Sequence, residues 1–278
     1  MNVEVRWAPV AAADGHRWDL LVAQGERVDR CLVWLPALGV PARSYEGFAR
    51  ELASRGVAVV VHEWRGFGSS SLRASRSVDW AYRELLTVDI PTTLEVAART
   101  FDRVHVLGGH SLGGQLASCT QALAAQPAHE LWLVASGAPY WRAFPRPLRF
   151  GLPLAYRLLN ALAMWFGALP GRRIGFGGNE ARGVIRDWSR TGLTGCYTAP
   201  GVGDIEPKLA AVTSPLTAVL FANDWLAPRA SLDYLMAKMQ PASTAVTLLD
   251  AAKLGTRDDH FAWMKAPTEV VSALLDAH

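Results

Sequence analysis

Short runs of apolar residues recur along the chain from Cys31 onward, separated by longer stretches whose apolar positions return at helical spacing. This alternation predicts a mostly parallel sheet connected by crossover helices. Strands are expected at Val3 to Ala8, Trp18 to Ala23, Cys31 to Leu35, Val57 to His62, Val104 to Gly108, Leu131 to Ser136, Leu216 to Ala222 and Ala245 to Leu249. Helices are expected at Arg43 to Ser54, Pro91 to Thr100, Leu112 to Ala125, Ala230 to Met239 and Pro267 to Ala277. The first two strands meet through Asp14-Gly15, a pair suited to a tight turn because Gly tolerates positive φ. The sheet is therefore expected to open with an antiparallel hairpin.

The rhythm breaks between Ala138 and Ala210, where no clear strand is visible and Trp, Phe, Arg, Pro and Gly are frequent. An insertion after the sixth strand would lie over the carboxyl ends of the strands, where open α/β sheets bind ligands. The expected organisation is a core of residues 1–137 and 211–278 carrying a helical cap of residues 138–210. Aromatics of this segment, among them Tyr156, Trp165, Phe176 and Trp188, are expected mostly to fill the cap's own core. Leu152 to Leu169 is broken by Pro153, Arg157 and Asn160 and is too short to span a bilayer, so it reads as a helix on or in the protein. No internal repeat or low-complexity tract is present.

Composition narrows this picture without changing it. The 278 residues are half hydrophobic, enough to cover both faces of a sheet. The formal charge of +3 is spread along the chain, which argues against a nucleic-acid partner. Cys31, Cys119 and Cys196 are too few and too far apart for a disulfide framework or a zinc site. They read as buried thiols, and no metal or cofactor is called for. The start of the chain has no basic segment followed by an apolar one, so the expected location is cytoplasmic.

The chemistry centres on Gly109-His110-Ser111-Leu112-Gly113, which follows an apolar strand and precedes a helical pattern. G-x-S-x-G in that context marks a turn so tight that a Cβ at either glycine would clash, and its strain pushes the Ser hydroxyl into the open. Ser111 is the expected nucleophile. A Ser hydroxyl needs a general base, itself oriented by a carboxylate. Of the seven His, His260 lies in the loop after the last strand, whereas His278 is terminal and His62 comes too early. Asp224 follows the seventh strand and is the expected acid, with Asp250, Asp258 and Asp259 as alternatives. An oxyanion needs two preorganised N–H donors. One is expected from Leu112, and the other from the turn Pro36-Ala37-Leu38-Gly39, at Leu38 or else Ala37. Trp225, beside the acid, and Trp263, three residues after the base, are expected to line the substrate cleft.

Together these residues resemble the α/β-hydrolase superfamily over nearly the whole chain. The resemblance is strongest at Gly109 to Gly114 and at Glu63-Trp64-Arg65-Gly66-Phe67-Gly68-Ser69-Ser70, which is similar to a D-x-R-G-x-G-x-S loop with Glu63 in place of Asp. Within the superfamily it looks most like bacterial hydrolases of the serine aminopeptidase and monoacylglycerol lipase-like group. Pro36-Ala37 stands where many of those have His-Gly, and Asp259-His260 where they commonly have Gly-His. The resemblance implies the α/β-hydrolase fold, with an eight-stranded, mostly parallel sheet. It also implies cleavage of a carboxylic ester, thioester or amide of a small or lipid-like acyl substrate through an acyl-Ser intermediate. Acyl transfer by the same residues and a non-catalytic binding module are the competing readings.

Overall fold

The structure, a computed structural model, describes residues 2–276; Met1, Ala277 and His278 lie outside the described residues. The first six strands are β1 (Val3–Ala11), β2 (Arg17–Gly25), β3 (Arg30–Leu35), β4 (Val57–Val61), β5 (Val106–His110) and β6 (Glu130–Val134). Four short strands follow: β7 (Ala168–Pro170), β8 (Asn179–Ala181), β9 (Thr198–Ala199) and β10 (Gly203–Asp204). The last two are β11 (Leu216–Phe221) and β12 (Thr244–Leu249). One eight-stranded sheet runs in the order β1-β2-β4-β3-β5-β6-β11-β12. β1, β2 and β4 pair antiparallel, and every other pair in this sheet is parallel. This is the α/β-hydrolase fold, and all eight strands correspond to expected runs. The hairpin turns at Gly15, where φ is +86°.

The central strands are apolar on both sides because helices cover both faces. Along β3, Cys31, Val33 and Leu35 enter one hydrophobic cluster while Leu32 and Trp34 enter the other, as the two-residue repeat of a strand requires. Helices Glu46–Ser54 and Thr268–Leu275 supply Phe48, Leu52, Val270, Val271 and Leu274 to the second cluster. Helices Ile90–Phe101 and Leu112–Leu123 supply Ile90, Ala97, Leu116 and Cys119 to the first. Cys31 and Cys119 are buried as expected, but Cys196 is exposed. It sits just past the end of helix Arg182–Thr194, where the chain turns at Gly195 with φ +78°.

The connection from β6 to β11 differs from expectation in holding strands. Ala168–Pro170 pairs with Asn179–Ala181, and Thr198–Ala199 with Gly203–Asp204. Ladders of two or three residues are too short for an alternating pattern to show in the sequence. Two longer helices, Leu148–Phe166 and Arg182–Thr194, also lie in this connection.

The segment after β4 buries charge. The Arg65 guanidinium donates to both carboxylate oxygens of Asp89, at 2.6 and 2.8 Å, and also pairs with Asp14 beside the hairpin turn. His16 Nδ1 lies 3.1 Å from Asp89 and its Nε2 lies 3.0 Å from the Ser70 hydroxyl. Arg65 and Ser70 of the Glu63–Ser70 loop thus fasten the hairpin to the π-helical turn Leu85–Asp89. Glu63 is 1% exposed and accepts from the Ala42 N–H at 3.2 Å. The longer side chain at this position fits because residue 68 is Gly: a Cβ there would stand 1.8 Å from Glu63 Oε2.

Burial pushes the Glu63 carboxyl up to about 7, despite the Ala42 and Ser69 amides that oppose it. Glu180, buried beside the Gly178 amide, is likewise pushed up to about 7 by burial. Below the unfolded value of 4.5 both states hold these protons, so the full stability is present. As pH rises through about 7 the unfolded chain is already ionised and the buried acids resist, so stability falls. The Glu63→Gln/Glu180→Gln protein should therefore gain melting temperature over wild type on going from acidic to mildly alkaline buffer. Melting curves with the same offset at both pH values would contradict this assignment.

Candidate active site

β3 lies between β4 and β5 in the sheet, so the chain leaves β3 toward one side and returns to pair on the other. The turns after β3 and β5 are thereby left adjacent, and such a switch point is where ligands bind in open α/β sheets. Ser111 occupies the sharp turn after β5 with φ +54° and ψ −119°, a conformation that L-residues rarely adopt. Glycine makes it attainable. A Cβ on Gly109 would lie 2.3 Å from the Gly113 carbonyl carbon, and one on Gly113 would lie 2.0 Å from the Leu35 oxygen. Ser111 N–H donates to the Val134 carbonyl at 3.1 Å, and the Ser111 carbonyl accepts from the Ser136 hydroxyl at 2.7 Å.

Asp224 and His260 come from loops after β11 and β12 and meet, with His260 Nδ1 2.7 Å from Asp224 Oδ2. The Asp224 side chain is fully buried, and its other oxygen accepts from the amides of Leu226 and Ala227 at 2.9 and 3.2 Å. The alternatives are engaged elsewhere. Asp258 accepts from the Asn223 side chain, Asp259 from the Phe261 and Ala262 amides, and Asp250 from the Lys253 amide. None of the three is paired with His260.

The turn after β3 is fixed from several sides. Ala37 N–H donates to the Tyr45 hydroxyl at 2.8 Å, and Trp64 Nε1 donates to the Pro36 carbonyl at 3.0 Å. Ala37 is thus committed to Tyr45. The amides of Leu38 and Leu112 have no acceptor among the described residues, and both residues face the same cleft. Leu112 N–H is left without an intrahelical acceptor because it is the first amide of its helix.

This cleft has a volume of about 610 Å³, and Ser111 and His260 both line it. Its walls are mainly apolar and come largely from the β6–β11 connection, including Phe144, Leu148, Leu152, Tyr156, Phe176 and Trp188. Tyr156, Phe176 and Trp188 pack on one another as expected of a cap core, and the same rings also form cleft wall. Trp225 also lines the cleft and is 61% exposed. Trp263 does not: it is fully buried, with its ring packed against Trp34, Phe48, Phe221 and His110. It lies on the short 3-10 helix Ala262–Lys265 that follows Phe261.

Two residues that pattern reading passed over belong to this assembly. Tyr45 accepts from Ala37 N–H and places its own O–H 2.9 Å from His110 Nδ1, so one hydroxyl joins the turn after β3 to the end of β5. The His110 ring lies against that of His260, tilted by 43° with centroids 4.8 Å apart. Burial, and secondarily repulsion from His260, holds His110 well below the usual imidazole range, so it stays neutral. Its place next to Ser111 was the available signal. Nothing local in the sequence marks Tyr45.

A sequence profile described as an alpha/beta hydrolase family matches residues 32–273. No curated protein matches the sequence. Among solved structures, the chain is similar to a hydrolase from Pseudomonas aeruginosa PA01, with 16% identity and a TM-score of 0.68 over 98% of this chain and 97% of that one. It is also similar to a carboxylesterase of the ammonia-oxidizing thaumarchaeon Nitrososphaera gargenis, with 15% identity and a TM-score of 0.65 over 96% of each chain. A thermophilic esterase from Thermogutta terrifontis matches at 14% identity and a TM-score of 0.65, over 98% of this chain and 97% of that one.

The contacts of Tyr45 carry a stability prediction. Tyr45→Phe leaves the Ala37 amide and His110 Nδ1 buried without this partner, and an unmade buried hydrogen bond costs about 1–3 kcal/mol. Urea unfolding should show a loss of that size with an unchanged denaturant slope. A loss near zero would mean that the hydroxyl does not bridge the two turns.

Proposed function

Because the chain belongs to the alpha/beta hydrolase family, we propose that its hydrolase activity is cleavage of a carboxylic ester, with thioesters and amides open to the same chemistry, through an acyl intermediate on Ser111. The observation that carries this reading is the convergence on one cleft of Ser111, of His260 braced at 2.7 Å by Asp224, and of two unengaged amides.

In this reading Ser111 Oγ attacks the acyl carbon while His260 Nε2 takes its proton. Asp224 holds the proton on Nδ1, so Nε2 presents its lone pair, and it stabilises the imidazolium that forms. The carbonyl oxygen becomes an oxyanion and receives the amides of Leu38 and Leu112. Collapse breaks the bond to the leaving alcohol, which departs with the proton from His260. Water then repeats the sequence on the acyl-Ser and releases the acid. Neutral His110 places no second positive charge against His260. Residues 138–210 act as a cap whose apolar wall receives the acyl chain, and Trp225 stands at its exposed edge.

Ser111→Ala should abolish turnover of p-nitrophenyl esters and labelling by a fluorophosphonate probe while leaving the melting temperature intact. Residual turnover above about 1% would remove Ser111 from the nucleophile role. Asp224→Asn should lower kcat by about 10⁴, because an amide favours the wrong tautomer of His260. A nearly silent Asp224→Asn would move the acid elsewhere.

The cleft also predicts a chain-length preference. Burial of one methylene is worth about 0.8 kcal/mol, so kcat/KM should climb by up to about fourfold per methylene from acetyl toward octanoyl esters. A profile that peaks at acetyl would show that the apolar wall does not receive the acyl group.

A further inference from the structure

The helix Leu148–Phe166 is apolar on two sides. Leu148, Leu152, Ala155, Tyr156 and Leu159 face the cleft. On another side Phe150, Leu154, Leu158 and Trp165 recur at spacings of four and seven and point to solvent. Trp165 is 75% exposed, and Phe150 and Leu154 are 61% exposed. Isolated exposed apolar residues need no explanation, but a row of large ones along one helix marks an interaction surface.

Charge around this row is of one sign. From Pro139 to Gly178 there are six Arg and no Asp or Glu, which leaves 22 basic against 25 acidic side chains in the rest of the chain. The net charge that reads as spread along the sequence is therefore concentrated in this segment. None of Arg142, Arg146, Arg149, Arg157, Arg172 and Arg173 forms an ion pair among the described residues. Arg146 and Arg149 flank Phe150, with guanidinium carbons 5.9 and 5.0 Å from its ring, and Arg157 is exposed within the row.

We propose that this face of the helix docks on an anionic lipid surface. Apolar side chains enter the boundary between headgroups and acyl chains while Arg guanidinium groups meet lipid phosphates, the arrangement of an interfacial helix. The helix lies on the surface and does not cross it, since no helix among the described residues is long and apolar enough to span a membrane. A second copy of the chain is a poor occupant. A two-fold contact sets the same patch against itself, and here it would oppose Arg146, Arg149 and Arg157 with their own copies.

The test is flotation of purified protein with vesicles of phosphatidylglycerol and phosphatidylcholine, or of phosphatidylcholine alone. Binding needs no turnover, so Ser111→Ala should partition like wild type, which separates this result from the fate of the hydrolase reading. Wild type should float with the anionic vesicles and be released by high salt. Arg146→Gln and Arg157→Gln should each weaken partitioning by about fivefold. Leu154→Ser/Leu158→Ser/Trp165→Ser should abolish it while keeping the wild-type circular dichroism spectrum, since these side chains are exposed. Absence of flotation with anionic vesicles, or flotation untouched by the triple substitution, overturns the proposal. So does a concentration-dependent dimer in sedimentation velocity that the triple substitution dissolves, because the face would then belong to a second copy.

Discussion

The close approach of two pieces of backbone, the end of β3 and the first turn of helix Leu112–Leu123, governs the arrangement of this molecule. At Gly113 the separation is such that a methyl group would stand 2.0 Å from the Leu35 oxygen and a further backbone oxygen, that of Pro36, would lie at 2.5 Å. This contact lets the chain reverse at Ser111 with φ +54°, a strain of about 1–3 kcal/mol that only an over-determined surrounding sustains. The Val134 carbonyl and the Ser136 hydroxyl provide that surrounding from the neighbouring strand. The same approach puts the amides of Leu38 and Leu112 on one cleft. Removal of the contact would therefore separate the hydroxyl from both amides together.

Around the elbow, single polar groups bond in two directions, and this gives the site its rigidity. Asp224 uses one oxygen for His260 and the other for the Leu226 and Ala227 amides, so the carboxylate paired with the imidazole is itself held by backbone. The turn-capping role and the His-pairing role belong to the same side chain. Tyr45 accepts from Ala37 and reaches His110, and Trp64 holds the Pro36 carbonyl from below. Each link is an ordinary hydrogen bond of modest net worth, but buried groups left unpaired cost more than the bond contributes, so the set resists partial loss.

The connection between β6 and β11 supplies much of the cleft wall, and one helix within it carries two apolar surfaces. The side toward Ser111 is covered by the body of the protein and shapes the cleft. The side with Phe150, Leu154, Leu158 and Trp165 is exposed, and Arg146, Arg149 and Arg157 beside it form no ion pair among the described residues. A helix that is apolar on most of its circumference is ordinarily buried throughout. Here its burial is incomplete, and the uncovered side is matched to a phase that offers both hydrocarbon and negative charge.

Eight strands were legible in the chain because apolar runs bounded by turn residues are local signals, and each strand announces itself within a few residues. The elbow was legible for the same reason: its glycines act sterically over five positions, Gly109 to Gly113. The positions of Asp224 and His260 followed from chain order, since the loops after successive strands emerge at one end of a parallel sheet. The two- and three-residue ladders of the β6–β11 connection were too short to leave a pattern. Trp225 and Trp263 looked equivalent as neighbours of the expected acid and base, yet one is 61% exposed on the cleft and the other is fully buried against Trp34, Phe48 and Phe221, rings supplied by distant parts of the chain. Tyr45 and Trp64 left no trace of their roles, since each acts on a backbone group that is distant in sequence. Sequence determined what depends on local sterics and periodicity, namely the strands, the elbow and the order of the polar residues. Tertiary structure alone decided which amides stay unengaged, which aromatics meet the cleft and which side of a helix remains bare, because those depend on what the rest of the chain packs against them.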